Sequence, residues 1–349
     1  MRVVVDYSHV SRTVTGIERI SLELFSQGAL DEIDLHHAQA DSIFQMILTQ
    51  WIRLPIAAMG DRSSVFICPG FPPSILLSLF GADRVVPYIH DLFLLTRPSD
   101  LNFRAKTYMR PSFAFAVRRL RWFLVNSMCT RDTLLEWCRP DAEIRLLRPE
   151  VRNVFGLVPH LSRSKRDYRK PLRLLSIGTI EPRKNYPFAA LIRRALAAHL
   201  DRSVELHIVG RNGWGRHAEL LRAEEGVVLH DYCPTETVRA LIDSADVFLA
   251  TSKEEGLGLP LLEVQHGGLF VAAIDIPIFP EVLGESGCLL DPSSADKAAE
   301  RIASELSTSN WAERHRITAI RNVQSWNARA RSDKLDFLSW IRSPWQSHV

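Results

Sequence analysis

The chain has 349 residues, 46% of them hydrophobic and 24% charged, with a net charge of +3. Such a composition excludes a disordered or fibrous chain, and the length suits two hydrophobic cores rather than one. A charge this mild argues against nucleic acid as a partner, and no apolar run reaches the roughly 18–20 residues that a membrane span requires.

The five cysteines (Cys68, Cys129, Cys138, Cys233 and Cys288) are dispersed, with no C-x-x-C pair and no zinc spacing. They read as reduced thiols of a cytoplasmic protein. The chain enters Val3-Val4-Val5 without the apolar run and cleavage site of a signal peptide.

In chain order, strands are expected at residues 2–6, 64–68, 85–90, 122–126 and 144–147, with helices at 17–28, 102–120 and 130–138. The second half reads as buried strands at 172–177, 204–209, 227–229, 247–250, 269–273 and 288–290. Helices at 187–199, 235–243, 260–266, 294–306 and 311–323 separate them. Apolar strands alternating with helices predict parallel sheets covered on both faces. Arg163, Lys165, Arg166, Arg169 and Lys170 crowd residues 159–171, which lack hydrophobic periodicity, as an exposed linker would. The expected architecture is therefore α/β, two doubly wound Rossmann-like domains over residues 1–160 and 171–329. Ligands of such sheets bind at the carboxyl ends of the strands, so a central cleft faced by both domains is the expected active site.

Four segments carry chemistry. Glu254-Glu255-Gly256-Leu257-Gly258-Leu259-Pro260-Leu261-Leu262-Glu263 places two carboxylates around a glycine turn that runs into a helix. Gly256 and Gly258 permit close backbone approach to a ligand, and Pro260 suits a first helical turn. The helix start would seat a phosphate, although glutamate is favoured in a first turn whatever the function. Gly178-Thr179-Ile180-Glu181-Pro182-Arg183-Lys184-Asn185 follows the first strand of the second half. Its cations would neutralise charge building on a departing diphosphate, or simply form a solvated loop paired with Glu181. Tyr88-Ile89-His90-Asp91 ends one first-half strand and Thr15-Gly16-Ile17-Glu18-Arg19 follows another. Each reads equally as a ligand contact or as a structural strand end.

Taken together, these segments resemble retaining GT-B glycosyltransferases of family four. The resemblance spans nearly all of the second half, including Leu206-His207-Ile208-Val209-Gly210-Arg211-Asn212-Gly213-Trp214, Asp275-Ile276-Pro277 and Glu281 through Pro292. It is weaker in the first half, resting there on Gly16 and His90-Asp91. It implies that Glu263 holds the ribose hydroxyls, that Glu255 sits at the donor sugar, and that backbone amides of Gly256, Leu257, Gly258 and Leu259 contact sugar or phosphate. Arg183 and Lys184, with the Gly178 loop, would grip the diphosphate, His90 would lie near the donor sugar, and Gly16 would make room for phosphate or acceptor. Thr179 stands where many relatives carry arginine, and Leu257 replaces a frequent phenylalanine. The fold habit also implies that residues 330–349 return to the first domain, with Trp326, Leu335, Leu338 and Trp340 as apolar anchors.

The implied activity is transfer of a hexose, mannose or a deoxyhexose such as rhamnose, from a nucleotide-diphosphate sugar to a glycan or polyprenyl-linked acceptor in surface polysaccharide synthesis. No metal and no further cofactor are expected. A sugar-nucleotide epimerase and a non-catalytic sugar-nucleotide-binding scaffold are the alternatives; base, linkage and oligomeric state stay open. Arg104, Lys106, Arg110, Arg118, Arg119 and Arg121 interleave with Phe103, Tyr108, Phe113, Phe115, Trp122 and Phe123. This stretch reads either as a helix lying peripherally on the inner face of the cell membrane or as a buried helix with arginines at its edge.

Overall fold

The computed structural model describes residues 2–10, 16–30, 33–99, 101, 103, 105–159 and 170–342. Arg104, Thr15 and most of the expected linker, residues 160–169, lie outside the described residues. The chain divides into two compact units, one of residues 1–150 with 329–349, the other of residues 151–328.

The first unit is built on six parallel strands: β1 (Arg2–Tyr7), β2 (Asp34–Gln39), β3 (Val65–Cys68), β4 (Val85–Ile89), β5 (Trp122–Val125) and β6 (Glu143–Leu146). Their order is β2-β1-β3-β4-β5-β6. Every residue of β3, β4 and β5 is buried, as expected for Val/Ile/Phe runs under helices on both faces. β2 was not expected from the sequence. Its Asp-Leu-His-His-Ala-Gln run carries no apolar signal because it is an edge strand, partly exposed along its length.

The second unit carries β7 (Leu172–Ile177), β8 (Val204–Val209), β9 (Val227–His230), β10 (Val247–Ala250), β11 (Phe270–Ile274) and β12 (Cys288–Leu290), in the order β12-β11-β10-β7-β8-β9. All neighbours pair parallel. β9 is only partly buried, contrary to expectation, because it closes one edge of the sheet. The chain runs β7 to β9 in one direction, then resumes with β10 on the other side of β7. That reversal is a topological switch point, where doubly wound sheets open a crevice at their strand ends.

Several expected helices differ in detail. The expected 102–120 helix is a π-helical turn, Ala105–Met109, followed by the α-helix Arg110–Arg119. Pro111 sits in the first turn of that helix, where its missing N–H costs nothing, rather than in its interior. Phe113, Trp122 and Phe123 are buried core residues, so these aromatics are unavailable to a surface; Arg110, Arg118 and Arg119 are exposed. The last helix is one continuous element, Trp311–Arg342, not a helix ending near residue 323 with a separate tail.

That long helix belongs to the second unit at its beginning and to the first at its end. Trp326 is fully buried in the second unit. In the first unit the anchors are Phe337 and Ile341, four residues apart and so on one helical face. Leu335, an expected anchor, is 67% exposed. Phe337 meets Phe25 edge-on with ring centroids 6.1 Å apart, and Asp333 accepts from the Arg148 guanidinium at 2.8 Å in a buried pair. The division falls at residue 150, upstream of the expected linker, because Val151 is held by second-unit side chains. Its N–H donates to Asn327 Oδ1 at 2.8 Å, and its carbonyl accepts from Asn327 Nδ2 at 3.0 Å. No described helix is both long and apolar enough to cross a membrane.

Candidate functional site

The loops leaving β7 and β10 lie at the switch point of the second unit. β7 and β10 are adjacent strands, and Ser176 Oγ ties them by donating to the Leu249 carbonyl at 2.6 Å. Gly178 then leaves β7 at φ +148°, a conformation that favours glycine. Its carbonyl accepts from the Tyr186 hydroxyl at 3.0 Å. Gly210, at the end of β8, is forced by packing: a Cβ there would lie 2.0 Å from the Gly178 carbonyl oxygen. The chain next makes a 3₁₀ turn, Pro182–Lys184, and passes through left-handed Asn185 (φ 52°) into the helix Tyr186–Leu200.

The β7 loop is stitched to the β10 loop through its backbone. Lys253 N–H donates to the Arg183 carbonyl at 2.8 Å, and Thr251 Oγ1 donates to the Lys184 carbonyl at 3.0 Å. Main-chain anchoring of this kind presents both cationic side chains to the residues that follow β10.

Those side chains converge on Glu255. Its Oε1 accepts from Lys184 Nζ at 2.6 Å and from Ser252 Oγ at 2.6 Å, while Oε2 lies 2.7 Å from Arg183 Nη1. Arg183 also donates to Glu181 Oε1 through Nε (3.0 Å) and Nη2 (2.6 Å), and through Nη1 to the Glu254 carbonyl (2.9 Å). The Glu255 side chain is only 9% exposed. Burial alone would raise its carboxyl, but the Lys184 and Arg183 charges, with the Lys184 and Ser252 hydrogen bonds, outweigh it and hold the carboxyl at about 2. Glu255 is therefore ionised at neutral pH, and the cluster holds two cations against two carboxylates. The adjacent glutamates have separate jobs here: Glu254 offers its backbone carbonyl to Arg183, and Glu255 its carboxylate.

The glycine turn after Glu255 departs from expectation. Gly258 is left-handed (φ 80°), and a Cβ there would lie 3.1 Å from both Leu261 and Phe279; Gly256 has no positive φ. The helix that follows is short, Leu259–Glu263, and continues only as the 3₁₀ turn Val264–Gly267. Leu257 and Glu263 are buried, the latter at the last position of that helix. The structure thus joins Arg183, Lys184 and Glu255 directly and carries Glu263 on the adjoining helix.

His90 and Gly16 belong to the first unit. His90 Nε2 donates to the Pro69 carbonyl at 2.7 Å, and the His90 carbonyl accepts from Asn126 Nδ2 at 2.8 Å. Burial pushes the imidazole down to about 4, so it is a neutral ring protonated on Nε2. Gly16 opens the helix Gly16–Phe25, and among the described residues no atom lies within 4 Å of where its Cβ would be. Close packing of the described residues therefore does not demand glycine at that position.

Ser252 and His9 were not singled out from the sequence, and Glu181 was named there only as the partner of a solvated loop. Ser252 completes the Glu255 shell, and Glu181 shares Arg183 with it. His9 follows β1 with both ring nitrogens buried and without hydrogen-bond partners, its ring seated where a Cβ on Gly70 would fall 1.9 Å from Nε2. Only the pairing of β1 with β3 brings those two loops together, and no local pattern signals it. Among the described residues, no three His, Cys, Asp or Glu side chains gather so as to hold a metal ion.

Residues 159–322 match the sequence family described as glycosyl transferases group 1. The chain is 25% identical over 242 residues to the O-antigen chain mannosyltransferase B of Escherichia coli, covering 66% of this chain and 63% of that protein. It is 28% identical over 145 residues to the putative colanic acid biosynthesis glycosyltransferase WcaL of Salmonella typhimurium, covering 38% and 36%. The chain thus spans less than two thirds of either relative. In fold it is similar to WaaG, a glycosyltransferase involved in lipopolysaccharide biosynthesis (TM-score 0.67, 15% identity, 98% of this chain and 100% of that one). It is likewise similar to Anabaena Alr3699/HepE in complex with UDP-glucose (TM-score 0.67, 16% identity, 95% and 98%). With its two six-stranded Rossmann-like units, the chain has the GT-B fold, and its residues 159–322 match the group 1 glycosyltransferase family.

Proposed function

We propose that the chain is a retaining, metal-independent glycosyltransferase of surface polysaccharide synthesis. It would move a hexose, mannose or a deoxyhexose such as rhamnose, from a nucleotide-diphosphate sugar to a glycan or polyprenyl-linked acceptor. The observation that carries this reading is the contact of Arg183 and Lys184 with Glu255 at the β7–β10 switch point. The similarity to an O-antigen mannosyltransferase supports the choice of sugar, and the UDP-glucose complex of a protein of the same fold supports a nucleotide-sugar donor.

The chemistry follows from the charges. Breaking the bond between sugar and diphosphate builds negative charge on the departing phosphate. Arg183 and Lys184, fixed through their backbones, neutralise it, worth roughly 1.5–3 kcal/mol for each charge-assisted contact. As the cations turn toward phosphate, the ionised Glu255 carboxylate stabilises the positive charge developing on the sugar. The acceptor hydroxyl attacks the face from which the phosphate leaves and passes its proton to a phosphate oxygen, so that configuration is retained. Glu263 holds the ribose, His90 serves the donor sugar as a neutral hydrogen-bonding ring, and side-chain cations replace a divalent metal.

The test is turnover of GDP-mannose, dTDP-rhamnose and UDP-hexoses with glycan and polyprenyl-linked acceptors, with and without EDTA. Expected is release of one nucleoside diphosphate, unaffected by EDTA, with the product's anomeric configuration matching the donor. Turnover abolished by EDTA or an inverted product would refute the mechanism. Donor epimerised without acceptor would replace the reading by the epimerase.

A further inference from the structure

The first unit turns an apolar helical surface to solvent. Residues 43–60 form one helical run: Ile43–Leu48, the π-helical turn Thr49–Arg53, and Leu54–Gly60, opened by Ser42, whose hydroxyl accepts from the Gln45 N–H. Its inner positions Leu54 and Ala58 join the core. Its outer positions are apolar as well: Phe44 is 74% exposed, Ile56 62% and Met59 58%. A water-facing helix needs a polar side, and this one offers only Arg53 and, half-buried, Gln45.

The neighbouring helix Ile75–Phe80 repeats the pattern, with Leu77 in the core and Leu79 and Phe80 outside. It packs against both Leu54–Gly60 and Arg110–Arg119, so the two apolar helices and the basic helix are neighbours. Trp51 Nε1 donates to the Tyr108 hydroxyl at 2.9 Å, binding the same elements together. Apolar patches beyond a few hundred Å² are rare on proteins that face only water.

Basic residues outnumber acids around this face. Residues 42–60 contain one charge, Arg53, and residues 75–82 contain none, with Asp41, Asp61 and Asp83 at their ends; residues 105–123 carry Lys106, Arg110, Arg118, Arg119 and Arg121, of which Arg121 pairs with Glu143 at 3.3 Å. We propose that this face is a membrane-docking surface, on which the helical run 43–60 and the helix Ile75–Phe80 lie in the headgroup boundary of an anionic bilayer, with the Arg110–Arg119 helix against the lipid charge. Long apolar side chains beside an excess of Lys and Arg are the features an interfacial helix requires. A second copy of the chain is disfavoured as occupant, because a self-contact would set cation against cation. The surface thus differs from the one expected for the 102–120 stretch, whose aromatics Phe113, Trp122 and Phe123 are core.

The test is co-sedimentation of the full chain with vesicles of phosphatidylcholine alone or mixed with phosphatidylglycerol. The wild type is expected to pellet with the anionic vesicles only. Phe44→Ser with Ile56→Ser and Leu79→Ser, all at exposed positions, should weaken binding at least about tenfold without lowering the melting temperature. Arg118→Glu with Arg119→Glu should weaken it about tenfold or more, as should high salt. A wild type left in the supernatant, or a triple variant that binds unchanged, would overturn the proposal. Concentration-dependent self-association, lost in the triple variant and without vesicle binding, would give the face to a second copy. No nucleotide enters the assay, so its outcome is independent of the proposed activity.

Discussion

Replacing Glu255 by glutamine removes one charge from the cluster while preserving the side chain's shape. Glutamine stands in for the protonated acid, so the loss follows from the shift of the carboxyl from its ordinary 4.5 to about 2. At about 1.36 kcal/mol per pH unit, this comes to about 3 kcal/mol at neutral pH. The geometry gives the same order: breaking a buried ion pair by removing one partner costs roughly 3–5 kcal/mol, and Glu255 faces two cations. The sign fixes the pH window. The folded chain favours the ionised form, so the stabilisation is full above the ordinary carboxyl value and is lost as pH falls through the folded one. The gap between wild type and Glu255→Gln should therefore shrink to about 1 kcal/mol at pH 3. Urea unfolding followed by tryptophan fluorescence, with the transition of the second unit compared at pH 7 and pH 3, measures it. Equal stabilities at pH 7, or a gap that does not change with pH, would refute the electrostatic picture of the cluster.

Gly210→Ala places a methyl 2.0 Å from the Gly178 carbonyl oxygen, a backbone atom that cannot yield without moving the β7 loop. The expected outcome is loss of the folded second unit, read by circular dichroism and solubility, and a wild-type melt would contradict the packing. Burial holds His90 at about 4, so its folded form resists protonation and stability declines as pH falls from 6.5 toward 4. Ring-nitrogen NMR should show it neutral and protonated on Nε2 down to about pH 5, and titration near 6.5 would refute that.

The fold was legible where burial leaves an apolar signature. β3, β4, β5, β7 and β10 are short Val/Ile/Leu/Phe runs buried on both faces. β2 was not, because an edge strand keeps its polar residues. The helical run 43–60 was missed for the opposite reason: with apolar residues on both faces it shows no amphipathic period. In the second unit the cations of the β7 loop and the carboxylates of the β10 loop could be picked out by residue type and spacing. Their arrangement as one neutralised cluster could not, since the contacts of Lys184 and Arg183 with Glu255 depend on how two loops 71 residues apart meet. Of the aromatics of the basic stretch, Phe113, Trp122 and Phe123 are core while Phe103 is 79% exposed, a division that residue type alone does not report. His9 shows the same limit, since Gly70 and His90, from the loops after β3 and β4, join Asp6 of its own segment around it.

The assignment of Arg183 and Lys184 to the donor diphosphate is tested most directly by calorimetric titration of UDP and GDP into the wild type and Lys184→Met. One of the two nucleotides should bind the wild type, and the variant should bind it about ten- to a hundredfold more weakly, as loss of one charge-assisted contact requires. Identical affinities in the two proteins would place the diphosphate elsewhere and contradict the proposed site.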